Sequence, residues 1–170
     1  MIAVDTNLLV YAHRPGAPHH RAARECLTTL AEGRAAWAIP WPCLHEFVGV
    51  VTHPRIWRPP SPLREALGQV AAWLEAPSLV LLAEEGGYWP ALAETATAGG
   101  AIGPMIHDAR IAALCRVHGV RELWSADRDF SRFPALAVRN PLRPDTVAEP
   151  AVAYRTRRRR GAPLRAARRR

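Results

Sequence analysis

The chain has 170 residues, enough for one domain with a sizeable buried core. Because 49% of the residues are hydrophobic, the composition excludes a globally disordered protein. The net charge of +8 is typical of nucleic-acid-binding proteins, but nine of the 23 basic residues are arginines within 151–170, where there is no acid. The remaining 14 basic residues face 15 acidic ones, so residues 1–150 carry a net charge of −1 and the basicity belongs to the tail.

Cysteine usage and hydropathy exclude further classes of protein. The cysteines are odd in number, widely spaced and without a CxxC pair: Cys26, Cys43 and Cys115. This pattern argues against a disulfide framework and against a structural zinc site, and it suits a reducing cytosol. No signal-peptide pattern opens the chain and no apolar run approaches the length of a membrane span. We therefore expect a cytoplasmic protein without a membrane partner.

The first third of the chain predicts two buried strands and two long helices. Residues 2–5, which are apolar apart from Asp5, predict a short strand that runs into a helix. A helical pattern follows over 18–32, and AAWAIP at 35–40 predicts the second strand. Apolar residues recur at helical spacing across 41–52, which predicts the second long helix.

The middle of the chain begins with a loop. Proline-rich residues 53–62 cannot form a regular element, and Ser61 has the chemistry of an N-cap for a helix that ends at Leu74. SLVLLA at 78–83 predicts a third strand, and 88–98 predicts another helix.

The last elements complete an alternating order of strands and helices. Residues 104–118 predict a helix, ELWSA at 122–126 a fourth strand, and 135–138 a short fifth strand. This order predicts an α/β fold with a mainly parallel sheet of four to five strands. We expect one domain over 1–144, followed by a disordered arginine-rich tail over 145–170.

Five acids stand where such a fold places a functional site. In parallel α/β sheets, ligands bind beyond the carboxyl ends of the strands. Asp5 ends the first predicted strand, and Asp127 and Asp129 lie just beyond the fourth. Glu46 and Asp108 fall on predicted helices, at the borders of their apolar faces, from where they can point along the sheet edge toward a shared cleft.

Each acid also has an ordinary structural interpretation. Asp5 has the chemistry of an N-cap, and Asp108 in a first helical turn is favoured by the helix dipole. Glu46 fits a solvated helix face, and Asp127 and Asp129 fit a turn. The joint pattern points further, because two carboxylates about 4 Å apart repel each other by about 4 kcal/mol at an effective dielectric constant of about 20. Converging carboxylates need a cation or shared protons, and oxygen ligands without a cysteine or histidine set suit Mg²⁺ or Mn²⁺.

The order of these motifs resembles a known family. DTN at 5–7, Glu46, HDARIAAL at 107–114 and SADRDF at 125–130 are similar to the PIN-domain ribonucleases, and most of all to the VapC toxins of type II toxin–antitoxin modules. The resemblance covers about 1–143. It implies a PIN-like α/β/α sandwich and a Mg²⁺-dependent endoribonuclease, with Mn²⁺ as an alternative metal.

The resemblance also implies a role for each matching residue. Asp5 and Asp108 match the acids that bind Mg²⁺, Glu46 and Asp127 complete the catalytic quartet with Asp127 as a further metal ligand, and Asp129 matches a fifth metal-binding acid of some members. Three polar residues match those that orient the carboxylates: Thr6, Asn7 and Ser125. The implied partners are an RNA substrate such as tRNA or ribosomal RNA, a VapB-like antitoxin and a second copy in a homodimer.

Two alternatives stay open at this point. One is a housekeeping PIN-domain nuclease for RNA processing that has no antitoxin, and the other is a PIN-like domain that binds RNA without metal. The arginine-rich tail extends RNA contact or reflects codon bias. Five tryptophans are candidates for stacking on bases as well as for the core or interfaces: Trp41, Trp57, Trp73, Trp89 and Trp124.

Overall fold

The structure is a computed structural model that describes residues 1–143. Strands and helices alternate along this range. The elements are β1 (Ile2–Val4), α1 (Thr6–His13), α2 (His20–Glu32), β2 (Trp37–Pro40), α3 (Trp41–Val51), α4 (Leu63–Leu74), β3 (Leu79–Leu82), α5 (Tyr88–Ala98), α6 (Met105–Val117), β4 (Glu122–Trp124), a 3₁₀ helix (Asp129–Arg132) and β5 (Val138–Arg139).

The strands form one five-stranded parallel sheet in the order β3-β2-β1-β4-β5. Ala3 of β1 lies opposite Ala38 of β2 on one side and Leu123 of β4 on the other. The predicted α/β fold with a mainly parallel sheet is confirmed, and the six helices flank the sheet as in a PIN-like α/β/α sandwich. Because β1 and β4 are parallel neighbours, their carboxyl ends meet at one edge, where Asp5 N donates to Trp124 O at 3.0 Å.

The core fixes α3 against its neighbouring helices. Phe47 of α3 is fully buried, and its ring centroid lies 4.8 Å from that of Trp73 in α4 and 5.2 Å from that of His13 in α1. Both ring pairs meet edge to face, the geometry that aromatic quadrupoles favour. The packing of Phe47 thereby holds the preceding residue, Glu46, at a defined place beside α1.

Two details of the prediction are wrong. Ser61 does not cap α4, because the helix begins at Leu63 with Pro62 as its N-cap and without a side-chain capping hydrogen bond. The Ser61 hydroxyl accepts from Arg14 Nη1 at 2.8 Å. The fifth strand lies at 138–139 rather than 135–138, since the pairing with β4 is set by register and not by the apolar run.

Two other expectations concern the arginine-rich tail and membrane-spanning helices. The arginine-rich tail and its boundary at residue 144 lie outside the residues that the structure describes. No helix within 1–143 is long and apolar enough to cross a membrane.

Two glycines provide a matched test of how tightly their surroundings are packed. A Cβ on Gly99, after α5, would lie 2.5 Å from Cε1 of the buried Phe133 ring, whereas a Cβ on Gly68 within α4 would meet nothing within 4 Å. We predict that Gly99→Ala lowers the free energy of unfolding by about 1–3 kcal/mol through overpacking. Gly68→Ala should raise it by about 0.5–1 kcal/mol through helix propensity. Urea unfolding measures both changes, and a neutral Gly99→Ala would contradict the placement of Phe133.

Candidate active site

The central residue of the site is Asp5, which is only 5% exposed. It follows β1 and is the N-cap of α1, where its Oδ1 accepts a hydrogen bond from Thr6 N at 2.7 Å. Oδ2 accepts from Ser125 Oγ at 2.7 Å and from Asn7 Nδ2 at 2.6 Å. The capping role considered for Asp5 is therefore real, and the same carboxylate also faces the cleft described below.

Two polar side chains tie the end of β1 to the end of β4. Asn7 Nδ2 also donates to Ser125 Oγ at 3.0 Å, and Asn7 Oδ1 accepts from Ala126 N at 3.1 Å. Ser125 is 1% exposed, and its hydroxyl accepts from Asp127 N at 3.0 Å while donating to Asp5. The network therefore fixes the backbone at Asp127 as well as the carboxylate of Asp5.

Thr6 connects this network to α3. Its hydroxyl donates to Glu46 Oε2 at 2.6 Å, a short charge-assisted hydrogen bond. Glu46 itself is exposed, so this bond and the buried Phe47 next to it define where the carboxylate lies. Glu46 is thus more than a solvated helix residue.

Asp108 comes from the first turn of α6 and is half-buried. The residues that follow it are buried from Ile111 to Cys115, as is Ala109, so the helix is held firmly in the core. Its first turn projects at the edge of the sheet where β1 and β4 end, which brings Asp108 to the same cleft as Asp5.

A cleft of about 320 Å³ brings the four predicted catalytic acids together, because Asp5, Glu46, Asp108 and Asp127 all line it. Asp129 does not line this cleft. It lines an adjoining hollow that it shares with Glu46 and Asp108, and its backbone N–H donates to Asp127 Oδ1 at 2.9 Å. Asp129 therefore supports Asp127 from the neighbouring side.

The surroundings of Asp5 and Asp108 disfavour the ionised forms of these two acids. Burial raises the pKa of Asp5 to about 6, although hydrogen bonds from Ser125 and from Thr6 N oppose the shift. Burial also raises the pKa of Asp108, and the negative charges of Asp127, Asp129 and Glu46 add to that increase. A cation in the cleft would relieve both effects.

The donor set fits a hard divalent cation that keeps much of its water. Mg²⁺ is commonly held by one or two carboxylates with several water ligands, and the cleft offers carboxylate oxygens. Within residues 1–143, no group of three or more His, Cys, Asp or Glu side chains is already arranged to hold a metal ion. The acids therefore fit direct coordination by one or two carboxylates, with the others acting through water.

The structure adds Tyr11 and Cys43, which the sequence did not indicate as site residues, and it selects Trp57 from the five candidate tryptophans. Tyr11 and Trp57 line the cleft, and the Cys43 thiol contacts Asp5 Oδ1 at 3.9 Å. Tyr11 lies four residues after Asn7 in the same helix, a spacing that places both on one face and gives a readable signal. Trp57 lies in an irregular loop, where no periodicity indicates what it contacts. Burial holds the pKa of the Cys43 thiol well above its usual range, so the thiol is a proton donor toward Asp5.

The chain has recognisable relatives. The PIN domain matches residues 2–136. Ribonuclease VapC43 of Mycobacterium tuberculosis (strain ATCC 25618 / H37Rv) is 37% identical over 142 residues, which cover 84% of this chain and 96% of the relative. Ribonuclease VapC48 of the same strain is 29% identical over 138 residues, which cover 81% of this chain and 95% of the relative.

Solved structures share the fold. VapBC2 from Rickettsia felis, bound to a DNA fragment from its promoter, superposes with a TM-score of 0.59 at 20% identity, covering 82% of this chain and 98% of that chain. Mycobacterium tuberculosis VapC20, described as a Sarcin-Ricin loop cleaving toxin, superposes with a TM-score of 0.57 at 20% identity, covering 77% and 93%.

Asp5→Asn provides a test of the raised pKa in metal-free protein. A pKa of about 6 in the folded state, against the ordinary 3.8, means that the folded state binds more protons than the unfolded state between these values. The stabilisation from Asp5 is then complete below 3.8 and is lost as the pH rises through about 6, a change of roughly 3 kcal/mol. We predict that Asp5→Asn lacks this loss.

Urea unfolding in EDTA at about pH 4 and about pH 7.5 measures the difference between variant and wild type. The variant should gain stability relative to wild type at the higher pH. Glu25→Gln, which changes an exposed acid of α2, should follow the wild type at both values. A difference between Asp5→Asn and wild type that does not change with pH would contradict the raised pKa.

Proposed function

The chain belongs to the PIN-domain family and, within it, to the VapC ribonucleases, and on this premise we propose that it is a divalent-metal-dependent endoribonuclease. The observation that carries the proposal is the cleft in which Asp5, Glu46, Asp108 and Asp127 converge at the carboxyl ends of β1 and β4. The reaction is hydrolysis of an RNA phosphodiester bond.

We assign the metal to the carboxylates at the centre of this cleft. Asp5, Asp108 and Asp127 would hold Mg²⁺ or Mn²⁺ directly or through water, and Asp129 contributes from the adjoining hollow. When bound, such an ion polarises a phosphodiester and lowers the pKa of a water molecule that attacks phosphorus in line.

Side chains of the protein itself orient the carboxylates, which supply the negative charge of the site. Ser125 and Asn7 hold Oδ2 of Asp5, and Thr6 holds Glu46. Because these donors are fixed by the fold before substrate arrives, the carboxylates need little rearrangement when they act. The exposed Glu46 is free to accept a proton on the oxygen that Thr6 does not occupy, which suits a role in proton transfer.

The relatives support proposals about partners. VapC20 is described as cleaving the Sarcin-Ricin loop, which supports structured RNA as the substrate class here. The VapBC2 structure is a complex with its antitoxin, and we propose that a VapB-like antitoxin binds and inhibits this protein too. We also propose a homodimer.

The cysteines Cys26, Cys43 and Cys115 are all unpaired in the structure, which supports a reducing, cytoplasmic location.

Cleavage of total RNA tests the proposed activity. With Mg²⁺ or Mn²⁺, we expect the wild type to produce discrete fragments that EDTA abolishes. Asp5→Asn and Asp108→Asn should each lower the rate by at least about 100-fold while the fold survives, because each removes a negative charge that would hold the metal ion. Glu25→Gln, an exposed acid on α2, is the matched control and should cleave like wild type. Full activity in both aspartate variants would refute the assignment of the metal site.

Ser125→Ala tests the orienting network separately from the metal ligands. The change removes the hydroxyl that donates to Asp5 and accepts from Asp127 N, so we expect cleavage to slow by about 10- to 100-fold. Ser131→Ala alters an exposed serine of the 3₁₀ helix and should leave the rate unchanged. Initial rates on one RNA fragment give the comparison, and equal rates for the two variants would rule out an orienting role for Ser125.

A further inference from the structure

The catalytic cleft combines acids with apolar and aromatic side chains. Besides the acids, Thr6 and Asn7, its lining consists of Val10, Tyr11, Val50, Trp57, Ile111 and Phe130. In the described range no arginine lines the cleft, and the chain contains no lysine. The cleft itself therefore offers no cationic side chain to attract phosphate, and apart from metal ions and hydrogen bonds to its polar groups, its attraction for a nucleotide comes from stacking and apolar contact.

Trp57 is the largest of these apolar residues, and Arg14 holds it in place. The guanidinium carbon of Arg14 lies 4.5 Å from the centroid of its ring, within cation–π distance. Arg14 Nη1 donates to Ser61 Oγ at 2.8 Å, and Nη2 donates to Pro59 O at 2.9 Å. Because Arg14 is the C-cap residue of α1, the loop that carries Trp57 is fixed to the helix that begins next to Asp5.

The polar edge of the indole makes no contact that holds the ring in place. Nε1 of Trp57 is buried and has no hydrogen-bond partner among residues 1–143. The side chain as a whole is only half-buried and lines the cleft, so its accessible part is carbon. A fixed aromatic carbon surface beside a phosphodiester site matches the face of a nucleobase rather than its hydrogen-bonding edge.

We propose that Trp57 stacks on an unpaired base of the substrate and so places the adjoining phosphate at the carboxylates. This inference rests on the proposed function of the cleft. It assigns the substrate class as RNA with a base that is splayed out of a helix, because a base inside a duplex is stacked on both faces. It also assigns Arg14 as a positioning residue that holds the ring.

A binding experiment with abasic probes tests the stacking directly. The probes are a short, fluorescein-labelled single-stranded RNA of mixed sequence, the same RNA annealed to its complement, and a series in which one nucleotide at a time is abasic. Affinities are measured by anisotropy with Mg²⁺ in the cleavage-deficient Asp5→Asn background, for which circular dichroism melting establishes that every variant is folded.

We expect Trp57→Ala to bind the intact single strand about 5- to 100-fold more weakly, the range measured for loss of one stacked base. Trp57→Phe should bind nearly as the parent does, because the indole N–H makes no hydrogen bond that phenylalanine would lose. Trp89→Ala, which removes a tryptophan of α5 that is 73% exposed and outside the cleft, is the matched control. The duplex probe should bind poorly to all of them.

The abasic series separates stacking from a structural effect. One abasic position should weaken binding by the parent protein and leave Trp57→Ala indifferent, since the lost base and the lost ring remove the same contact. A uniform loss across all probes in Trp57→Ala, or affinities equal to those of Trp89→Ala, would overturn the proposal.

The two proposals fail in different ways. If the wild type cleaves total RNA with the metal and Trp57→Ala cleaves and binds like it, the stacking role is refuted and the nuclease stands. If the wild type does not cleave RNA and the Trp57-dependent abasic position is still found, the nuclease is refuted and the stacking site stands.

Discussion

The whole site depends on one buried carboxylate at the end of the central strand. Asp5 lies where a strand becomes a helix, so its oxygens meet the free N–H of Thr6 as well as the donors from Asn7 and Ser125. These hydrogen bonds make a charge tolerable in a place that burial makes costly. The carboxylate joins β1, α1 and β4, and hydrogen bonds from Thr6 to Glu46 and from Asp127 N to Ser125 connect two further acids to that junction.

Stability and activity place opposite demands on this junction. Burial and neighbouring negative charges raise the pKa values of Asp5 and Asp108, so ionisation of either group costs free energy in the metal-free fold. A metal-binding site needs the same groups ionised. This conflict between the raised pKa values and metal binding is limited but not removed by the fold. Glu46 is exposed to solvent, and Asp129 lies in the adjoining hollow.

The sequence predicted the positions of those site residues that follow from the periodicity of one strand or one helix. Asp5 and Asp127 follow buried strands, and a parallel sheet brings such residues to one edge, so their convergence was readable. Glu46 and Asp108 were readable from the borders of helical faces, although their approach to Asp5 depends on how far each helix tilts. Contacts between residues that are far apart in the sequence could not be predicted.

Irregular segments show the limit most clearly. Ser61 has the chemistry of a cap, and only the folded chain shows that Arg14, distant in sequence, takes its hydroxyl instead. The position of β5 is likewise set by its pairing with Trp124 rather than by its own apolar residues. Trp57 reaches the cleft through a proline-rich loop whose path no local pattern encodes.

The strand order also determines when the protein can become active during its own synthesis. The hydrogen bond between Ser125 and Asp5 spans 120 residues, so the first strand to leave the ribosome waits for one of the last. Contacts of such separation form late and slowly, because a long loop has to close before they are gained. A nascent or prematurely terminated chain that ends before β4 lacks Ser125 and Asp127. The site is therefore complete only after β4 and the residues that follow it, through Asp127, have been made.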